Sequence, residues 1–247
     1  MKEVIDTAPV IEAFESQDEC PFCYVERMAE QRAINYVAGS CASYMEPEVR
    51  AITDRQGFCA NHLKKLYDFG NALGNALIMQ THFIDLNREL EQELSTMTAP
   101  GKRKLLSKPE EPAILNWLRS RNRSCYLCSR VEQAMHRYFV TFYALLKEPE
   151  FRSRVENCKG FCFRHFEQLL EHAADHLPNA QRRWFYTAVP TVFKNNLARV
   201  QGDLEWFIAK FDYRNAKADW KNSRNAVPRA MQKLQGSHPS DPPFKKN

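Results

Sequence analysis

The sequence predicts an all-α protein built as a duplicated helical bundle, and three observations carry that expectation. Glycine is scarce, at eight residues in 247, and no stretch alternates apolar and polar residues for long enough to make a half-buried strand. Long segments run without a breaker, such as Tyr24 to Val37 and Ser129 to Leu146. A constellation of cysteine and histidine also occurs twice, Cys20 and Cys125 being 105 positions apart, which marks an internal repeat.

The elements follow in order. Pro9 and Pro112 each open a short apolar stretch, as proline suits the first turn of a helix. Each stretch leads to a C-x-x-C pair, and each pair is followed by a breaker-free helical run. The landmarks Glu46-Pro47-Glu48-Val49-Arg50 and Glu148-Pro149-Glu150-Phe151-Arg152 then open a shorter helix in each half. After His62 the apolar positions Leu66, Phe69, Leu73 and Leu77 predict one amphipathic helix of about 35 residues, on the order of 50 Å long, with Gly70 and Gly74 admitting a close neighbour. In the second half Leu177-Pro178-Asn179 interrupts the helix after His165, and Pro190 marks another start or kink. Phe193, Leu197, Val200, Leu204, Phe207 and Phe211 form a heptad-like seam. The two seams are expected to pack on each other about a pseudo-twofold axis, or else on a second chain. The chain divides as a first repeat at 1–98, a Pro/Lys-rich linker at 99–111, a second repeat at 112–220 and a basic, largely disordered tail at 221–247.

The repeated constellation reads as metal ligation. The first copy is Cys20-Pro21-Phe22-Cys23 followed by Gly57-Phe58-Cys59-Ala60-Asn61-His62; the second is Cys125-Tyr126-Leu127-Cys128 followed by Gly160-Phe161-Cys162-Phe163-Arg164-His165. Three thiolates and one imidazole are the ligand set of a closed tetrahedral zinc site. Each copy is expected to close its own site: Cys20, Cys23, Cys59 and His62 around one zinc, and Cys125, Cys128, Cys162 and His165 around another. With no coordination position left open, the metal is expected to be structural rather than catalytic. A C-x-x-H at a helix start puts both ligands on one face of the first turn, beside the positive end of the helix dipole. Gly57 and Gly160 are expected to take a backbone conformation disfavoured by residues with a Cβ, and Phe58 and Phe161 to seal the sites. Tyr126 in place of proline slightly weakens the second knuckle.

Iron–sulfur clusters are the alternative to two zinc ions per chain. Cys158 is an alternative fourth ligand in the second copy, and Cys41 has no partner at metal spacing. His172 and His176, four apart, read more readily as a packed or solvated pair than as a further metal site, and His82 and His136 as packing or surface residues. Glu26, Glu132 and Glu167 lack the Glu-x-x-His pairing of a carboxylate di-metal centre.

Charge separates the C-terminal region from the rest. Residues 210–247 hold nine Lys/Arg against three Asp, in a chain of net charge +5. Together with Arg119, Arg121 and Arg123 this offers contacts to nucleic-acid phosphates, although no nucleic-acid-binding motif accompanies them. No run of 18 apolar residues is present, and Met1-Lys2-Glu3-Val4-Ile5-Asp6 lacks a signal-peptide core, so no membrane association and a cytoplasmic location are expected. There the thiols stay reduced and hold metal rather than disulfides.

The run C-P-F-C-Y at Cys20 to Tyr24, the G-F-C-x-x-H of Gly57 to His62 with its second copy, and Phe207 to Asn215 (F-I-A-K-F-D-Y-R-N) together resemble an uncharacterised prokaryotic family known as a domain of unknown function. The resemblance spans roughly residues 10–220. It implies a cytosolic helical metalloprotein and brings no catalytic residue with it. The expected function is a non-catalytic scaffold or regulator, monomer or homodimer, that binds another macromolecule, most readily a protein. An iron–sulfur or thiol redox protein and a nucleic-acid binder are the alternatives.

Overall fold

The structure is a computed structural model that describes residues 6–40, 43–97, 111–112 and 114–237. Most of the expected linker, the last ten residues and Cys41 lie outside the described residues. Among those described, eleven α-helices and three short 3-10 turns occur, with no strand. No described helix is long and apolar enough to cross a membrane.

In chain order the helices are α1 (Thr7–Glu15), α2 (Pro21–Ala38), α3 (Pro47–Gln56), α4 (Ala60–Phe69), α5 (Ala72–Ser95), α6 (Ile114–Arg123), α7 (Tyr126–Leu145), α8 (Pro149–Asn157), α9 (Phe163–His176), α10 (Arg182–Ala209) and α11 (Ala226–Gln235). They group into two compact units that are interleaved in sequence. The first combines residues up to Ala29 with those from Gln133 onward; the second is Glu30–Glu132. Consecutive blocks at 1–98 and 112–220 are therefore not how the described residues cluster. Helices α2 and α7 are divided between the units.

The first unit is built around aromatic side chains. Phe22 stacks on Phe139 at 4.5 Å between ring centroids, and Phe14 meets Phe151 edge-on at 5.1 Å. Phe142 and Phe161 complete the buried cluster. Such ring pairs add about 0.5–1.5 kcal/mol each beyond their area burial. The second unit is aliphatic by contrast, with Ile34, Val37, Leu66, Ile78 and Leu127 at its core and Tyr44, Phe58 and Phe69 packed against it.

The proline landmarks sit where expected: Pro47 and Pro149 occupy the first turns of α3 and α8. The long helix after His62 does not form as one element. Gly70 is left-handed (φ 88°) and ends α4; Asn71 then caps α5, its side chain accepting from the Gly74 N–H at 2.9 Å. Gly74 admits this cap rather than a neighbouring helix, since a Cβ there would lie 2.6 Å from the Asn71 amide. An Asn beside a glycine that reaches the left-handed region terminates one helix and starts the next, and outweighs the continuous apolar stripe. Pro190 lies inside α10 without ending it, while Leu177-Pro178 ends α9 as expected.

Each long helix has its main neighbours within its own unit. Helix α5 packs on α3, and α10 packs on α11 and α8. Leu73 and Phe211 stand exposed, and Gly74 and Ile78 are buried instead of Leu73. The tail also departs from expectation, because residues 226–235 form α11. Its inward face is Ala226, Arg229, Gln232 and Lys233, a mainly polar face that hydrophobic periodicity cannot reveal. Lys233 Nζ donates to the backbone oxygens of Lys159 (2.5 Å) and Glu19, and lies 3.3 Å from the Glu19 carboxylate. Arg229 reaches Asp203 at 2.9 Å and Glu19 at 3.5 Å. Arg229 and Lys233 are thus turned inward, whereas Lys221 and Arg224 stay exposed.

Gly160 and Gly202 make a matched test of backbone chemistry. Gly160 has φ +83°, and a Cβ on it would lie 2.8 Å from the Asn196 Cβ; a Cβ on Gly202, within α10, meets nothing within 4 Å. Gly160→Ala is expected to destabilise by about 1–3 kcal/mol, whereas Gly202→Ala is expected to stabilise by up to about 1 kcal/mol. Chemical denaturation of the two variants checks both signs.

Candidate metal centres

All eight expected ligands come together, but in a different pairing. One group is Cys20, Cys23, Cys162 and His165; the other is Cys59, His62, Cys125 and Cys128. The C-x-x-C of each repeat meets the C-x-x-H of the other, which corrects the expectation that each copy closes its own site. Each group lies within one compact unit.

Helix lengths explain the exchange. From Cys23 the chain runs out along the 18 residues of α2, about 27 Å, and returns along the ten residues of α3, about 15 Å. His62 is delivered beside Glu30, seven residues beyond Cys23, and not at the start of α2. The second copy behaves likewise. Helix α7 has 20 residues and α8 only nine, and His165 arrives 6.5 Å from Phe139, well beyond Cys128.

Local geometry is shared by the two groups. Cys59 and Cys162 are the N-cap residues of α4 and α9, so His62 and His165 fall in the first turn of their helices, as expected. Gly57 (φ 60°) and Gly160 (φ 83°) both take a positive φ, disfavoured by residues with a Cβ, as expected. Phe161 is fully buried against Phe14 and Phe22; Phe58 is half-buried, edge-on to Tyr126. Tyr126 does not weaken its knuckle. Its backbone N–H donates to the Gly57 carbonyl at 2.9 Å, a bond that the Pro21 at the matching position of the first copy cannot make.

In the first group His165 Nδ1 lies 3.4, 3.4 and 3.2 Å from the sulfurs of Cys20, Cys23 and Cys162, and the Cys23 and Cys162 sulfurs are 3.7 Å apart. In the second, His62 Nδ1 lies 3.2, 3.3 and 3.3 Å from Cys59, Cys125 and Cys128, with Cys59 and Cys128 at 3.8 Å. A tetrahedral zinc with ordinary bond lengths sets its ligand sulfurs about 3.8 Å apart and sulfur and nitrogen about 3.5 Å apart. The observed spacings match that figure. No disulfide links the described cysteines.

Both imidazoles turn Nδ1 to the sulfurs and Nε2 to a carboxylate. His62 Nε2 lies 3.1 Å from Glu30, which Lys65 also holds; His165 Nε2 lies 3.6 Å from Glu26, which accepts from Arg164 at 2.8 Å. At His62 the Glu30 partner, within hydrogen-bond distance, fixes the tautomer that leaves Nδ1 free to bind metal; Glu26 stands beyond that distance from His165, with Arg164 also 3.4 Å from its Nε2. Glu30 was not foreseen, because it sits on the helix of one motif and serves the histidine of the other. Its spacing from any ligand in sequence carries no signal. Glu30→Gln should weaken metal binding at the second group by about 10–100-fold, measured against a competing chelator, and leave the first group unchanged.

The groups differ in exposure. All four residues of the first are buried, whereas Cys59 is half-buried and Cys128 exposed. Charge is distributed unevenly among the sulfurs. S–H donation from Cys20 and Cys23 pulls Cys162 down into the thiolate range, and the same contacts push Cys23 up. Burial works against the ionised form of both His62 and Cys125. Even so, Cys125 and Glu30 raise His62 to about 10, and the nearby His62 brings Cys125 down to about 6. A metal must displace the remaining protons, so binding weakens as pH falls.

The other candidates fall outside these groups. Cys158 accepts the Gly160 N–H at 3.3 Å, and burial pushes its thiol up to about 11. His82 stands apart from these groups, its Nδ1 bonded to the Asp54 carbonyl at 2.7 Å. Arg119 pairs with Glu111, and Arg121 with Glu89 and the Arg55 carbonyl. Arg123, the third arginine read as a phosphate contact, is exposed.

Residues 1–241 match a family described as a family of unknown function, DUF6062. The chain belongs to that family. It is also similar to an uncharacterized 23.9 kDa protein in the xynA 3′ region of Caldicellulosiruptor sp. (strain Rt8B.4), 24% identical over 208 residues, which are 83% of this chain and 88% of that protein. No solved structure matches.

Proposed function

We propose that this chain is a zinc-stapled helical protein whose two Cys3His sites are structural, and that it serves as a non-catalytic scaffold or regulator for another macromolecule in the reducing cytoplasm. The observation that carries the reading is the donor spacing. Four donors at tetrahedral-ion distances leave room for one ion and no room for a multi-iron cluster, which supports zinc over iron–sulfur. Each ion would join segments far apart in sequence, 139 residues from Cys23 to Cys162 and 69 from Cys59 to Cys128. A link of that kind is a folding device. The shared glycine, proline and N-cap geometry supports an origin by duplication.

The surface supports a binding role. Tyr67, Leu73, Phe83 and Ile84 are exposed on the second unit, and Ile208, Phe211 and Tyr213 on the first. Where such side chains gather into one contiguous patch, they mark a surface that meets another molecule. Light scattering of the pure chain distinguishes a homodimer from a monomer that awaits a partner.

Metal analysis tests the assignment. Anaerobically purified protein should be colourless and carry two tightly held zinc ions. Brown protein with iron and sulfide would establish the redox reading instead. Because Cys128 is exposed, a chelator should strip the second site before the first, with alkylation of Cys59, Cys125 and Cys128 preceding that of Cys20, Cys23 and Cys162 when followed by mass spectrometry.

A further inference from the structure

The first unit holds another cluster of metal-binding side chains, chemically unlike the Cys3His groups. His136 on α7 and His172 and His176 on α9 bring one ring nitrogen each to within 4.8 Å of the others. The ring centroids are 5.6 Å apart for His136 and His172, 5.5 Å for His136 and His176, and 6.1 Å for His172 and His176.

Two aromatic rings hold this arrangement in place. Phe139 stacks on His172 at 4.8 Å, and Tyr143 stacks on His176 at 6.3 Å. Phe139 and Tyr143 follow His136 by three and seven residues, so all three share one face of α7. Tyr143 is itself fixed, fully buried and donating its hydroxyl to the Leu169 carbonyl. His172 and His176 are half-buried and one turn apart, while His136 is exposed. The cluster is therefore backed by aromatic rings on one side and open to water on the other.

We propose that His136, His172 and His176 form a third metal site, an open one. Three imidazoles are the protein ligands of a metal that keeps at least one position for water or a small anion. The donor set selects a borderline divalent ion such as Zn2+, Co2+, Ni2+ or Cu2+ and rejects Mg2+ and Ca2+, which take oxygen ligands. Three neutral donors leave the ion its full +2 charge, whereas three thiolates reduce a Cys3His zinc to a net −1. An ion so placed acidifies its bound water strongly. A tetrahedral ion with ordinary Zn–N bonds sets its nitrogens about 3.4 Å apart, so small ring rotations, chiefly of the exposed His136, complete the site. Burial and the neighbouring imidazoles lower the pKa of His172, which keeps it in the neutral, ligating form. The inference is independent of the metal identity at the Cys3His groups.

The test is a cobalt titration of the full chain with its Cys3His sites loaded. One further equivalent of Co2+ is expected, giving weak visible bands without thiolate charge transfer. His136→Ala should weaken that uptake by more than the about 100-fold upper range for losing a supporting partner, with the two resident metals and the melting temperature unchanged. His172→Ala and His176→Ala should do the same to uptake. The site is refuted if no further equivalent binds, if it binds equally to the triple alanine variant, or if its spectrum carries thiolate bands. Being exposed, His136 supplies the variant least able to disturb folding. Counting the resident metals in each sample separates failure of this site from failure of the Cys3His assignment.

Discussion

Cys162→Ser should cost the chain the same metal ion as Cys20→Ser, and should leave the site of Cys59 and His62 fully loaded. Zinc coordination in small domains contributes on the order of 10–16 kcal/mol at neutral pH, and here the ligands join chain segments that no short loop connects. Loss of a buried thiolate from the first group should therefore unfold the first unit at ordinary temperature. The pairing has a sharper signature in double variants. Within one group a second ligand loss adds little, because the ion is already gone; across groups the losses add. Cys20→Ser with Cys162→Ser should thus resemble either single variant, and Cys20→Ser with Cys59→Ser should lose both ions. The opposite pattern would restore the pairing within each repeat. Metal counts together with thermal melts read both outcomes.

Lys233→Met should be the most damaging substitution away from the ligands. Lys233 is 2% exposed and its ammonium group ties the Glu19 carbonyl, beside Cys20, to the Lys159 carbonyl, beside Gly160 and Phe161. It therefore joins the approaches to both halves of the first metal group. Methionine keeps the packing and removes the donor. The buried Glu19 carbonyl and the half-buried Lys159 carbonyl then lose a charged partner, at about 1–3 kcal/mol each, and Glu19 keeps only its arginines. The expected result is a loss of about 2–6 kcal/mol confined to the first unit, with faster release of metal from Cys20, Cys23, Cys162 and His165. Unchanged stability and unchanged metal release would show that α11 is an appendage.

How legible the molecule was in its sequence depended on how local each signal is. The helical class, the proline starts of α3 and α8, the N-cap positions of Cys59 and Cys162 and the positive-φ glycines at 57 and 160 rest on neighbouring residues. Spacing and side-chain chemistry reveal such features directly. The break at Gly70-Asn71 is local too. A continuous apolar stripe obscured it, although an Asn cap following a glycine is a readable sign. Helix α11 escaped notice because the face it buries is made of Arg229, Gln232 and Lys233. The partners that neutralise them, Glu19 and Asp203, lie elsewhere in the chain.

The sequence by itself determined which residues gather and of what kind: six thiols and two imidazoles in two C-x-x-C and two C-x-x-H motifs, on helices. Only the tertiary structure decided which motif meets which. Both C-x-x-C motifs are chemically equivalent, so nothing in residue type or spacing distinguishes pairing within a repeat from pairing between repeats. The choice falls to the mismatch in length between α2 and α3 and between α7 and α8. The same holds for Glu30 at His62 and for the meeting of His136 with His172 and His176, since contacts between helices distant in sequence are set by where the chain returns.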